Sequence, residues 1–287
     1  MRSNDNNIVA KSTMSIIKEN EFRLKKKFGQ NFLIDSNILD KIVDASNVCE
    51  KDLVIEIGPG IGALSERLVK RCDHLILIEI DDTLIPILEE NFSEFDNVTI
   101  IHKDVLKVDI DKLISNYEYD KVRVVANLPY YITTPIVMKL LEECKKIDSI
   151  TIMVQKEVAQ RFIAKAGSKE YGAISLAVDY YTESKIALNV SPNCFIPKPK
   201  VDSSVLHMNV KKNIDESIDK NLLFRIIRLA FNQRRKTLIN SLVSGNSHID
   251  KAKLKSILSK LGFDENIRGE KLSLNNYIDI VKEMKNE

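Results

Sequence analysis

The feature that most constrains this chain is a short apolar run that ends in alternate glycines: Leu53-Val54-Ile55-Glu56-Ile57, then Gly58-Pro59-Gly60-Ile61-Gly62. A β-branched run bounded by glycine reads as a buried strand. The helical pattern over 63–71 behind it makes the glycines a strand-to-helix turn. The alternation then repeats. Strands are expected at 74–79, 98–102, 121–126 and 149–155, with helices at 84–92 and 134–144 and another after the last strand. Two further strands are expected at 185–190 and 201–210, joined by the proline-rich stretch 192–199. Strands separated by helices pair in parallel, so the fold class expected is α/β with a Rossmann-like seven-stranded sheet. The last two strands lie closer together in sequence, which favours antiparallel pairing at that end.

Beyond residue 210 the pattern changes. Residues 211–220 are charged and read as a linker. After them Leu222, Leu223, Ile226, Ile227, Ala230, Phe231 and Leu238 fall on one face of a helical wheel, with Arg225, Arg228 and Arg235 opposite. Further helices are expected at 250–261 and 274–285. The organisation expected is a flexible segment over 1–24, an α/β domain over 25–210, and a small all-helical domain over 211–287.

The glycines carry chemistry as well as geometry. Without a Cβ they let the backbone turn sharply and approach a ligand closely, and the helix behind them adds a positive dipole end. A dinucleotide site would use G-x-G-x-x-G around a pyrophosphate. Here the spacing is Gly58-x-Gly60-x-Gly62 with Glu56 ahead of it, which suits S-adenosylmethionine, a cofactor without phosphate. Glu79 ends the second strand, 17 residues after Gly62, where a carboxylate accepts from ribose hydroxyls of either cofactor. Asp104, in the loop after the third strand, is placed to accept from an adenine amino group. It also suits a plain helix cap.

Asn127-Leu128-Pro129-Tyr130 ends the fourth strand. In an open α/β sheet the ligand crevice lies at the carboxyl ends of the strands, so this tetrapeptide shares an edge with the glycine loop. An exocyclic amine of a base is a poor nucleophile because its lone pair is delocalised into the ring. Two acceptors on its two hydrogens, the Asn127 side-chain oxygen and the Leu128 carbonyl, would draw it toward tetrahedral geometry. Pro129 fixes φ and stiffens the turn. Tyr130 offers a ring for stacking, and the base must leave its helix to reach it. Read as an ordinary turn, the same four residues need no ligand.

With these motifs in order, the sequence resembles the ribosomal RNA adenine dimethyltransferases from about residue 25 onward. Lys26-Lys27-Phe28-Gly29-Gln30-Asn31-Phe32-Leu33 resembles the family's opening motif, which implies cofactor contacts at Asn31 and Leu33. Gly58, Gly60, Glu79, Asp104 and Asn127 match its cofactor positions, and Asn127 to Tyr130 its catalytic ones. The stretch Asn193 to Ser203 resembles the loop whose aromatic, here Phe195, packs the other face of the target base. Asn127 to Pro135, Ala230 to Leu238 and Arg268 to Leu272 are similar to the small-subunit enzyme. The resemblance implies a methyltransferase sheet and S-adenosylmethionine-dependent dimethylation of two adjacent adenosines near the 3′ end of small-subunit (16S) ribosomal RNA. The substrate would be an immature 30S particle. The alternative is the related large-subunit enzyme of antibiotic resistance.

The charge distribution bears on that partner. Residues 211–287 hold 16 Lys and Arg against 10 Asp and Glu, while the rest of the chain holds 27 against 31. A basic end on a mildly acidic body suits an anionic ligand. Lys25, Lys26, Lys27, Lys198, Lys200, Arg234, Arg235 and Lys236 are the candidate phosphate contacts. The cysteines at 49, 72, 144 and 194 match no zinc or disulfide spacing, so no metal is expected. No apolar run spans a bilayer and no signal peptide is visible, so a cytoplasmic monomer without membrane contact is expected.

Overall fold

The computed structural model describes residues 31–245 and 249–286. The expected flexible segment, and Lys25, Lys26 and Lys27, lie outside them. Nine strands form: β1 (Phe32–Leu33), β2 (Leu53–Ile57), β3 (His74–Glu79), β4 (Val98–His102), β5 (Val122–Asn127), β6 (Ile147–Gln155), β7 (Thr182–Val190), β8 (Phe195–Ile196) and β9 (Ser203–Val210). Seven of them make one sheet in the order β4-β3-β2-β5-β6-β9-β7. The pairs β2–β3, β2–β5, β3–β4 and β5–β6 are parallel. β6 and β9 are antiparallel, with Ile152 opposite Leu206. Helices on the faces bury β2 throughout, which is why it reads as a continuous apolar run.

The strand order decides where a ligand sits. From β2 the chain builds outward through β3 and β4, then returns to lay β5 on the other side. The carboxyl ends of β2 and β5 therefore flank the point where the order reverses, the usual crevice of such sheets. β1 and β8 form a separate antiparallel pair, with Phe32 opposite Ile196 and Leu33 opposite Phe195.

The described residues divide into two compact units: 31–159 with 184–210, and 160–183 with those from 211 onward. The second unit thus takes in the helix Ala173–Tyr181 as well as the C-terminal helices. Within it, the helix Lys220–Asn232 starts on an Asp219 cap that accepts from Leu222 N at 3.0 Å, and it buries Leu223, Ile226, Ile227 and Ala230. The expected apolar face does not run on to Leu238. Residues 233–237 form a turn, closed by Lys236 N donating to Gln233 O at 2.8 Å. Thr237 then offers its hydroxyl to Asn240 N, and Leu238 opens a new helix to Gly245. The helix expected over 63–71 is likewise short, Ser65–Leu68. Among the described residues, no helix is long and apolar enough to cross a membrane.

Candidate functional site

The glycine loop is built from three left-handed residues. Gly58, Gly60 and Gly62 have φ of 67°, 63° and 90°, values that a Cβ disfavours. Gly58 N donates to Ile78 O at 2.9 Å and Gly62 N to Pro59 O at 3.0 Å, so the turn is stitched to β3 and to itself. Gly62 is packed: a Cβ there would lie 2.7 Å from the Phe92 ring. Gly58 differs, since a Cβ there would meet nothing within 4 Å. Its open side borders a cavity lined by both loop and strand ends.

Two carboxylates stand behind this loop. Glu79, at the end of β3, is buried and accepts from Gly60 N at 3.2 Å, Ile80 N at 2.9 Å and Asp81 N at 2.9 Å. Burial raises its pKa, while those three N–H groups pull the other way. The expected ribose acceptor therefore also pins the loop, and its oxygens keep further acceptor capacity. Glu56 in β2 is buried more severely. Desolvation pushes its pKa up to about 8, the nearby Ser65 hydroxyl pulling the other way and the neighbouring Glu79 charge adding to the rise. Its Oε2 lines the cavity without a hydrogen-bond partner among the described residues.

Asn127 completes the other wall. Its Nδ2 donates to the Asn31 carbonyl at 3.1 Å. The remaining polar atom, the side-chain oxygen, is an acceptor. Leu128 N donates to Met153 O, and Pro129 O accepts from both Ile132 N and the Thr133 hydroxyl, each at 3.2 Å. The tetrapeptide is thus a rigid turn anchored on β6 and on the helix Thr133–Glu143. The hydroxyls of Tyr130 and Ser203 share a hydrogen bond of 2.8 Å, which ties the Tyr130 ring to the start of β9. Burial raises the Tyr130 pKa.

Asn31, Leu33, Gly58, Gly60, Glu79, Asp104, Asn127, Leu128, Pro129 and Tyr130 all line this one cavity. Asp104 also caps the turn after β4, accepting from Leu106 N at 3.0 Å, the plain cap that the sequence also suited. Phe195 is placed differently. Its side chain is 1% exposed and packs in the core with Leu33, Leu39 and Val190. It is not among the residues that line the cavity, and in this conformation it packs beneath the β1–β8 pair.

The basic candidates separate into two kinds. Lys200, Arg235 and Lys236 are exposed, and exposed Lys198 reaches Asn193 Oδ1 at 3.0 Å. Arg234 is committed, with Nε 2.6 Å from Glu270 Oε2 and Nη2 donating to Ser168 O at 3.1 Å. It reads as a brace of the helical unit. Sequence reasoning missed three contributors: Ser203 as the tether of Tyr130, the Asn31 carbonyl as the orienter of Asn127, and Glu56 as an unsatisfied acid. Ser203 lay inside the quoted stretch after Phe195, with no signal pointing to Tyr130.

The model of the ribosomal RNA adenine dimethylase family matches residues 21–286. The ribosomal RNA small subunit methyltransferase A of Alkaliphilus oremlandii is 48% identical over 269 residues, covering 93% of this chain and 94% of its own. That of Shouchella clausii is 50% identical, covering 91% and 90%. Among solved structures, a dimethyladenosine transferase from Plasmodium falciparum aligns with a TM-score of 0.75 at 24% identity, covering 87% and 96%. The 23S rRNA methyltransferase ErmE aligns with a TM-score of 0.70 at 20% identity, covering 89% and 100%. At those identities the two structures speak for the fold alone.

Proposed function

This chain belongs to the ribosomal RNA adenine dimethylase family, and from that premise we propose that it dimethylates the amino groups of two adjacent adenosines near the 3′ end of small-subunit ribosomal RNA. It is an rRNA adenine dimethyltransferase. The cofactor proposed is S-adenosylmethionine, the substrate an immature 30S particle, and the setting the cytoplasm, where ribosomes assemble. The helical unit is assigned RNA recognition, supported by the basic excess of residues 211–287.

The cavity fits that cofactor. Glu79 offers acceptors for ribose hydroxyls, Asp104 one for adenine, and the open side of Gly58 admits a ligand where a side chain would intrude. Glu56 holds an unpaired buried oxygen there, an acceptor for a cationic group. When bound, S-adenosylmethionine supplies an electrophilic methyl group for in-line displacement.

The observation that carries the reading is the Asn127–Asn31 hydrogen bond. It spends the amide N–H on a backbone carbonyl and leaves the Asn127 oxygen to accept from the target amine at the edge shared with the glycine loop. The Leu128 carbonyl takes the second hydrogen, and the Tyr130 ring, held by Ser203, takes the face of the base. These groups localise the lone pair and hold it in line, so orientation supplies the rate without a strong general base. The proton lost after transfer passes to water.

The test is mass spectrometry of both ribosomal RNAs from a strain lacking the gene, before and after addition of protein and labelled cofactor. Dimethyladenosine should appear in the small-subunit RNA, and Asn127→Ala should lose roughly a hundredfold or more in kcat. Label only in the large-subunit RNA, or full transfer by Asn127→Ala, would defeat the reading.

A further inference from the structure

Three large hydrophobic side chains are exposed among the described residues: Ile80 (46%), Tyr131 (64%) and Val201 (44%). Two of them, Ile80 and Tyr131, line the cavity that holds Glu79 and Asn127. Isolated exposed apolar residues need no explanation, but two on the wall of one cavity mark a binding surface.

Tyr131 dominates this surface. It follows Tyr130 directly, and the two are the central residues of a turn closed by Ile132 N donating to Pro129 O at 3.2 Å. The turn is fixed at both ends, by Leu128 N on Met153 O and by the Thr133 hydroxyl on Pro129 O. Tyr131 is therefore presented on rigid backbone, and a tyrosine has few rotamers to freeze on contact. Tyr130 has its hydroxyl tethered and its ring half-buried, whereas among the described residues no hydrogen bond to the Tyr131 hydroxyl is found. Lys103, exposed on the same cavity wall, adds positive charge beside the opening.

We propose that Tyr131 is a positioning residue that stacks the nucleotide next to the target adenine in the RNA strand. The inference rests on the RNA-methylating reading above. A base drawn into the cavity against Tyr130 leaves its neighbour without a stacking partner. An aromatic face one residue further along the same rigid turn replaces that partner, and every base has a face to offer it. With two adjacent adenines as substrate, the neighbour is a purine, the base with the larger stacking face. Tyr131 thus compensates for the unstacking of the target adenine.

The experiment uses the full-length enzyme and undermethylated 30S particles. Tyr131→Ala should raise the KM for 30S about tenfold, equivalent to roughly 1.4 kcal/mol, with kcat changed far less. Tyr131→Phe should behave as the native enzyme, because the ring and not the hydroxyl is used. Calorimetric affinity for S-adenosylmethionine should be unchanged in both variants. An unchanged KM in Tyr131→Ala overturns the proposal. So does a Phe variant as poor as Ala, or a loss confined to cofactor affinity, which would make Tyr131 part of the cofactor wall. If the native enzyme methylates no ribosomal RNA, the failure belongs to the earlier reading.

Discussion

Glu56→Gln makes the sharpest stability prediction. Glu56 is buried in β2 with one oxygen unpaired, and its pKa is raised from 4.5 to about 8. The unfolded chain gives up this proton above about pH 4.5, while the folded protein keeps it until about pH 8. The folded state therefore binds more protons across that window. Stability from this group is whole below pH 4.5, falls as pH rises to about 8, and is flat beyond. The loss amounts to at most roughly 5 kcal/mol. Glutamine has nearly the same shape and no charge to desolvate. In thermal melts without ligand, native enzyme and Glu56→Gln should agree at about pH 4.5 and diverge above it, the variant ending on the order of 10 °C higher by about pH 8.5. A cationic ligand against Glu56 reverses the preference. Titration of S-adenosylmethionine near neutral pH, in buffers of different ionisation heat, should show a proton released from the native enzyme and none from the variant. Parallel melting profiles across the whole pH range would refute the assignment of a buried, protonated acid.

Four further outcomes follow from other residues. Ser203→Ala and Tyr130→Phe each break the same 2.8 Å hydrogen bond, so each should lower kcat/KM by roughly fivefold to tenfold, and the double variant should be no worse than either, as a double-mutant cycle on 30S methylation will read. Gly62→Ala forces a Cβ to 2.7 Å from Phe92 at a φ of 90°, which should cost about 2–4 kcal/mol in denaturant unfolding. Arg234→Ala should destabilise the helical unit through loss of the Glu270 pair while leaving the salt dependence of 30S binding intact. Arg235→Ala and Lys236→Ala, both exposed, should instead each reduce the slope of log affinity against log salt by about one.

The sheet was legible because its central strands β2, β3 and β5 are buried nearly throughout and carry few polar residues, and because half-buried β4 is still a run of β-branched residues. β2, β3 and β4 fall within a residue of where the sequence puts them. Side-by-side order was not legible, since it depends on which crossovers pack, and only the structure sets β9 between β6 and β7. Two helices were missed, one with ordinary signals and one without. Asp35 caps Ser36–Ser46, whose Leu39, Ile42, Val43 and Ser46 keep a helical period. Ala173–Tyr181 is buried nearly all round, so it shows no polar face to mark it. The cavity residues were legible as motifs because each sits at the end of a strand. The two-residue pairing of β8 with β1, with Phe195 opposite Leu33, has no pattern short enough to read.

That small pairing also explains how the two halves of the site are held together. The segment 31–34 runs antiparallel to 194–196, with Ile34 N donating to Cys194 O at 2.9 Å. On one side Phe32 packs against Ile61 and Leu84, over the glycine loop, and its ring is 3.2 Å from where a Gly60 Cβ would be. On the other, the Asn31 carbonyl takes the Asn127 amide. One short segment therefore touches the glycine loop with a side chain and holds the Asn127 amide with its backbone. A change that frees this strand should weaken both functions together. Phe32→Ala, remote from the target base, is expected to lower cofactor affinity and kcat in one step, because the Asn31 carbonyl would no longer be fixed over Asn127. If calorimetry showed weakened cofactor binding with kcat intact at saturating cofactor, the strand would be a lid alone, and the orientation of Asn127 would have to come from the turn that follows it.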